Sequence, residues 1–268
     1  VFTAHTQYHS YVHYAPTPAR LTRWAIRQHV RMYAAQADLV LAPGQAMVKT
    51  LRDYGYSGEV SVLPNPVDRE VFKDLDALWV RRKFEIAGSA PLLVYVGRLA
   101  AEKNLAMLIE AFAETLSARP ESRLLIVGDG PLRASLESQA GALPVLFAGA
   151  VGHEEVPYYL KAADLFVTAS TTEVLPMTFL ESLAAGTPIV AASSAAAREL
   201  IDEGVNGHTS APKAADLSRT TVSTLSPEHL ARLQAGALRS AERYDVVEVT
   251  SSLIGLYKEA LEAKALAS

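Results

Sequence analysis

The sequence predicts an α/β protein, a parallel sheet with helices on both faces, preceded by part of a second domain of the same kind. Three observations predict it. From residue 91 onward, short apolar runs recur between longer stretches of helical periodicity. Two prolines in Leu63-Pro-Asn-Pro-Val-Asp68 separate that alternation from a shorter segment ahead of it. A composition of 50% hydrophobic and 20% charged residues over 268 positions suits one large or two smaller globular domains.

The elements follow in order. Val1-Phe-Thr-Ala-His5 reads as a strand already inside a domain, with no initiating Met, so the chain reads as a segment of a longer protein. Residues 18–37 read as a helix, 38–42 as a strand, 44–54 as a helix and 59–63 as a strand, with the proline-rich hinge next. Strands then fall at 91–97, 123–128, 145–148, 164–169 and 187–192. Helices near 103–117, 131–140, 153–162, 178–185 and 195–203 separate or follow them, and right-handed crossovers make the sheet parallel. The amphipathic stretch 246–264 reads as a long helix. The expected organisation is a partial amino-terminal domain at 1–66, a second domain at 67–245, and a carboxyl-terminal helix at 246–268 packing back on the amino-terminal part.

Composition narrows the class. No window reaches eighteen uninterrupted apolar residues and no signal-peptide pattern opens the chain, so a cytoplasmic location is expected. The absence of cysteine excludes a disulfide framework, a thiolate nucleophile and a thiolate metal site. Net charge is −4 but uneven: residues 1–66 hold six Lys/Arg against three Asp/Glu, leaving nineteen against twenty-six elsewhere. No nucleic-acid partner is expected.

The strongest site signal is Glu173-Val-Leu-Pro-Met-Thr-Phe-Leu-Glu181, two carboxylates with seven residues between them where a buried strand gives way to a helix. Open α/β sheets bind ligands at the carboxyl edge of their strands. A helix start there offers free N–H groups and a positive dipole end that suit a phosphate, with the Met177 and Thr178 amides as donors. The glutamates are then better placed for hydroxyl groups on either side of the phosphate, as sugars present them. Gly97-Arg98-Leu-Ala-Ala-Glu-Lys103 follows the first strand after the hinge and puts two cations at the next helix start, a plausible diphosphate clamp. A solvated loop with an ordinary surface lysine is the competing reading. Gly128-Asp-Gly130 permits close approach of backbone to a ligand, or serves a tight turn. Phe147-Ala148-Gly149 can present backbone groups to a planar base, or is only a strand end.

In order, Asn65-Pro-Val-Asp68, Val96-Gly-Arg98 with Lys103, Val127-Gly-Asp-Gly-Pro131, Phe147-Ala-Gly149, the Glu173/Glu181 pair and Ala185-Gly-Thr-Pro-Ile-Val190 resemble the family-4 retaining glycosyltransferases. The resemblance spans roughly residues 60 to 260. It implies the GT-B fold, two facing Rossmann-like domains, with a nucleotide sugar such as a UDP-sugar as donor. It implies that Arg98 and Lys103 bind the donor diphosphate, Glu181 the ribose hydroxyls, and Glu173 the transferred sugar and the charge developing at its anomeric carbon. Thr3-Ala-His5-Thr6 is similar to the amino-domain loop whose histidine meets the donor sugar, which makes His5 a candidate catalytic residue. Two departures stand out: Pro176 replaces the family's usual glycine, and the family's first glycine-rich loop is absent from this chain. Proline is tolerated at a first helical position, so Met177 and Thr178 amides remain usable.

Retaining transfer to a hydroxyl acceptor, without metal or other cofactor, is therefore the expected function. A catalytically silent sugar-nucleotide-binding module and a sugar-nucleotide epimerase of the same architecture are the alternatives. Arg20, Arg23, Arg27 and Arg31 share one helical face bordered by Trp24, a pattern that suits an anionic membrane surface, an interdomain cleft or simply water. The aromatic-rich segment His5–Tyr14 is similar to the corresponding region of diacylglycerol glucosyltransferases, which favours a lipid acceptor and peripheral placement on the inner membrane face. His5, His9 and His13 at every fourth residue suggest zinc only if helical. Asp74-Leu-Asp76 reads as a helix-start acidic pair. Gly128-Asp-Gly130 lacks the third glycine and distant acid of a dinucleotide-binding dehydrogenase.

Overall fold

The computed structural model describes residues 1–6 and 18–267, and the chain divides into two compact units. One unit comprises Val67–Asp245, the other Val1–Pro66 with Val246–Ser268.

The larger unit is built on a six-stranded, all-parallel sheet. Its strands are β4 (Leu92–Val96), β5 (Arg123–Val127), β6 (Val145–Gly149), β7 (Leu165–Thr168), β8 (Ile189–Ala192) and β9 (Gly207–Ser210), in spatial order β6-β5-β4-β7-β8-β9. Val, Ile and Leu dominate the central strands because both faces are covered. Leu92, Val94, Val96, Leu125, Val127 and Phe166 face one core layer, which includes α6 (Val156–Ala162), α7 (Met177–Ala185) and α10 (Pro227–Ala241). Their strand neighbours Leu93, Tyr95, Leu124, Ile126, Leu165 and Val167 face the other, with α4 (Leu105–Thr115), α5 (Arg133–Ala140) and α9 (Ala214–Thr224). Alternation thus buries both faces, as a parallel sheet requires. The chain moves outward from β4 through β5 to β6, then returns to β7 on the other side of β4. The strand order reverses between β4 and β7, and that junction opens the crevice in which doubly wound folds bind ligands.

Several boundaries differ from the sequence expectation. Helix α7 starts one residue earlier, at Met177, and Pro176 is its N-cap residue, φ −69° and ψ 129°, not its first helical residue. Residues 153–155 form a 3₁₀ turn ahead of α6, and α8 (Ala195–Leu200) ends three residues short of the expected 203. Strand β9, α3 (Leu78–Lys83), α9 and α10 were not anticipated. Asp76 Oδ1 accepts the Leu78 amide at 3.0 Å, so that residue serves the start of α3.

The smaller unit holds a three-stranded parallel sheet of β1 (Phe2–Thr3), β2 (Val40–Ala42) and β3 (Ser61–Val62). Helices α1 (Ala19–Ala35), α2 (Gln45–Asp53) and α11 (Val246–Ala267) complete it, and Lys264 Nζ pairs with Asp38 Oδ2 at 3.0 Å. No helix of the described residues is long and apolar enough to cross a membrane.

Candidate active site

At the β4/β7 junction the loops leaving both strands enclose a cleft of about 270 Å³, lined by Arg98, Lys103, Glu173, Met177, Thr178 and Tyr95 among others. β4 delivers Gly97 and Arg98 directly and Lys103 through a short 3₁₀ turn at Ala101–Lys103. β7 delivers Glu173 in the loop that ends at Pro176. α7 points its start at the same space. It has no side-chain cap, and Phe179 N already donates to Pro176 O at 3.1 Å. The Met177 and Thr178 N–H groups belong to the first turn, where no intrahelical acceptor exists. Two amides, two cations and one carboxylate therefore converge on one crevice.

Lys103 Nζ donates to Glu173 Oε1 at 2.5 Å, with the side chains 21% and 17% exposed. The sequence assigns these two residues separate partners; in the structure they are partners of each other. Arg98 is exposed. Beneath this loop Tyr95 is buried and its hydroxyl donates to Arg98 O at 3.3 Å. Burial, and then the charges of Glu173 and Glu102, push the phenol well above its usual range, so it stays a donor. Tyr95 was not singled out in the sequence, because a tyrosine in an apolar strand reads as core.

Glu181 lies in the second turn of α7 and is buried. Burial raises its carboxyl above the usual range, partly offset by His153, whose Nδ1 is 3.9 Å from Oε1. A carboxylate with so little compensation holds acceptor capacity in reserve.

The glycine-rich loops have a packing reason that the sequence reading did not contain. Gly128, at φ +130°, lies so close to the preceding loop that a Cβ there would be 2.0 Å from Gly97 O. A Cβ on Gly130 would meet Leu99 O at 2.5 Å. Leu99 N donates to Asp129 O and Leu132 N to Leu99 O, at 2.9 and 3.1 Å. The close backbone approach that Gly128 and Gly130 permit is thus between the two loops. Ala148 is the extra residue of a bulge: Ile126 pairs with Phe147 but Val127 with Gly149. Bulges re-aim backbone beside functional sites.

In the smaller unit His5 follows β1 and is exposed. His9 and His13, and most of the aromatic-rich segment, lie outside the described residues. Arg20, Arg23, Arg27 and Arg31 are all exposed on α1, as is Trp24, and Arg31 also bonds Gln28 at 3.0 Å. At 100° per residue the four arginines span about 80° of the helix. The rest of the helix surface, with Leu21, Ile26, Val30 and Tyr33, lines an apolar groove of about 520 Å³ together with Phe2.

Strand order, crevice and helix start define the larger unit as a doubly wound α/β domain of the nucleotide-binding type. The family model described as "Glycosyl transferases group 1" matches residues 80–234, and "Glycosyltransferase Family 4" matches residues 1–71. The chain belongs to the glycosyl transferases group 1 family. It is 32% identical over 216 residues to the alpha-monoglucosyldiacylglycerol synthase of Streptococcus pneumoniae, covering 77% of this chain and 49% of that protein. The enzyme of the same name from Acholeplasma laidlawii is 29% identical over 226 residues, covering 77% and 56% respectively. The chain spans about half the length of these relatives. A crystal structure of Anabaena Alr3699/HepE in complex with UDP and glucose superposes with a TM-score of 0.82 at 21% identity, covering 96% of this chain and 70% of that one. That likeness shows the fold, which is of the GT-B type.

Proposed function

We propose that the protein is a retaining glycosyltransferase moving a sugar from a nucleotide sugar, such as a UDP-sugar, to a hydroxyl of a membrane lipid. The observation that carries the donor half is the convergence of Arg98, Lys103, Glu173 and the first amides of α7 on one cleft at the β4/β7 junction. Arg98, Lys103 and the amides supply positive charge where a diphosphate leaves, a role a divalent metal fills in other transferases. Glu181, buried behind that cluster, suits the vicinal diol of a ribose, and the Ala148 bulge presents backbone to the base. Glu173 and His5 are assigned to the transferred sugar.

Relatives whose names describe glucosyl transfer to diacylglycerol support the lipid half. The basic face and exposed Trp24 of α1 support peripheral binding to an anionic membrane surface at the inner face of the cell membrane. Substituting Arg23, Arg27 and Arg31 with glutamate should reduce co-sedimentation with anionic vesicles about tenfold or more, at roughly 1 kcal/mol per charge. Donor affinity should not change, and unaltered sedimentation would remove the membrane assignment.

The deciding experiment is a screen of nucleotide sugars with a lipid extract as acceptor. Release of nucleoside diphosphate that requires the acceptor marks a transferase; release without it, or none, favours an epimerase or a silent binding module. Activity should persist in EDTA. Loss restored by manganese or magnesium would require a metal in the mechanism.

A further inference from the structure

Lys103 and Glu173 are 70 positions apart in sequence, yet their side chains close on each other across the mouth of the cleft at 2.5 Å. Neither side chain has a second hydrogen-bond partner among the described residues. Both are about four-fifths removed from water, at 21% and 17% exposure, where opposite charges attract several-fold more strongly than in bulk solvent. The proposed function assigns the ammonium to the donor's diphosphate and the carboxylate to its sugar. While the pair is closed, the charge of each group is largely met by the other, so neither offers its full strength to that role.

We infer that Glu173 is an internal counter-anion of the phosphate subsite, one that occupies Lys103 when no donor is bound and is exchanged for phosphate when the donor enters. The inference rests on the reading of the cleft as a nucleotide-sugar site. Its consequence is an ordered hand-over. A diphosphate that takes Lys103 removes the counter-ion of Glu173, so the carboxylate becomes available to the sugar only when the rest of the donor is seated. After transfer the same carboxylate, tethered beside Lys103, competes with the leaving nucleoside diphosphate and speeds its departure.

The expected size follows from populations. Apparent affinity equals intrinsic affinity multiplied by the fraction of molecules with Lys103 free, so a pair closed nine-tenths of the time weakens diphosphate binding about tenfold. A neighbouring carboxylate supplies the control. Glu102 is adjacent to Lys103 in the chain, and its charge, like that of Glu173, acts on Tyr95. Its Oε2 is buried with no hydrogen-bond partner, and it is not paired with Lys103. Replacing Glu102 removes the same charge from the same neighbourhood without opening the pair.

The test is calorimetric titration of uridine diphosphate, or of guanosine or adenosine diphosphate where uridine diphosphate does not bind, into the full-length protein and its Glu173→Gln, Lys103→Met, Glu102→Gln and Lys103→Met/Glu173→Gln variants, with a thermal melt of each to establish folding. Glu173→Gln should bind about five- to tenfold tighter than the parent. That gain should vanish in the Lys103→Met background, because the effect belongs to the pair. Glu102→Gln should change affinity less than about twofold, because its carboxylate is not the counter-ion of Lys103. Unchanged or weaker binding by Glu173→Gln overturns the inference, as does an equal gain in the double variant, which would reduce the effect to long-range charge. If the parent binds and Lys103→Met weakens it while Glu173→Gln brings no gain, the donor site stands and only the counter-anion falls. If uridine, guanosine and adenosine diphosphates all fail to bind any variant, the donor-site reading falls and takes the inference with it.

Discussion

Strands β4 and β7 are neighbours, and each end of the pair carries one ion pair. At the amino ends Arg81 Nη2 meets Asp164 Oδ2 at 2.8 Å; at the carboxyl ends Lys103 meets Glu173 at 2.5 Å. The lengths are similar and the surroundings are not. Arg81 also donates to the carbonyls of Ala162, Ala90 and Ala87 at 3.0, 3.0 and 3.3 Å, while Asp164 Oδ2 accepts the Leu92 amide at 2.7 Å. Each guanidinium nitrogen has a partner, and the partners are the end of α6, the turn ahead of β4 and the residue ahead of β7. Among the described residues Lys103 and Glu173 have hydrogen bonds only to each other. Saturation of the hydrogen-bonding groups, more than distance, separates a pair that holds the fold from one that can exchange partners.

The largest effect should come from breaking the saturated pair. Arg81→Met leaves the partly buried Asp164 carboxylate and two or three carbonyls without their donor, and removing one member of a buried pair costs about 3–5 kcal/mol. The melting temperature should fall by about 6–12 °C, while the protein that remains folded binds nucleoside diphosphate normally. A shift of only a degree or two would make the two pairs equivalent.

Lys103→Met should do the reverse. Loss of a charge-assisted bond to phosphate, at about 1.5–3 kcal/mol, weakens nucleoside diphosphate binding roughly ten- to a hundredfold. Stability should fall by less than in Arg81→Met, because Lys103 gives up one hydrogen bond where Arg81 gives up four. Calorimetry and thermal melts on one preparation measure both quantities.

The smallest effect concerns Glu181, a third carboxylate, whose ion-pair contact is the exposed His153 at 3.9 Å. Because burial raises its carboxyl above the usual range, the folded protein holds that proton more tightly than the unfolded chain. The stability linked to it is present below the unfolded-chain value and lost as pH rises through the raised one. Glu181→Gln should therefore melt about 1–3 °C above the parent near pH 7, with the advantage gone near pH 4. It should also bind nucleoside diphosphate about tenfold more weakly near pH 7, with parent binding approaching the variant's as acid protonates the carboxylate. A variant that is no more stable, or binds equally well, would remove Glu181 from the ribose site.

Much of this was legible in the chain. Strands β4 to β8 are short, mostly apolar runs, and the loops after β4 and β7 carry the charged residues that meet at the cleft. β9 was missed because Gly207-His-Thr-Ser210 has neither alternation nor apolar content; it forms only because β8 offers an edge to pair with. Helix α3 was missed because Leu78-Trp-Val-Arg-Arg-Lys83 is too short for a period to show. The sequence also gave no sign that Lys103 and Glu173 are partners, or Arg81 and Asp164. Those contacts join positions 70 and 83 apart, and only the crossover from β6 back to β7 brings them together. The proline ahead of α7 was seen but placed one position too late, since cap and first-turn residues look alike without dihedral angles.

The interlocked Gly97 and Gly128–Gly130 loops constrain how this site can be re-engineered. With a Cβ at Gly128 only 2.0 Å from the facing carbonyl, neither loop has room to take a new side chain at the contact while the other keeps its path. Donor preference is therefore not transplantable one segment at a time. A graft from a relative should carry both loops as a matched set, and with them the segment after β7, which meets the first loop through Ser170 and Thr172 on Glu102 O at 3.4 and 3.3 Å and through Glu173 on Lys103.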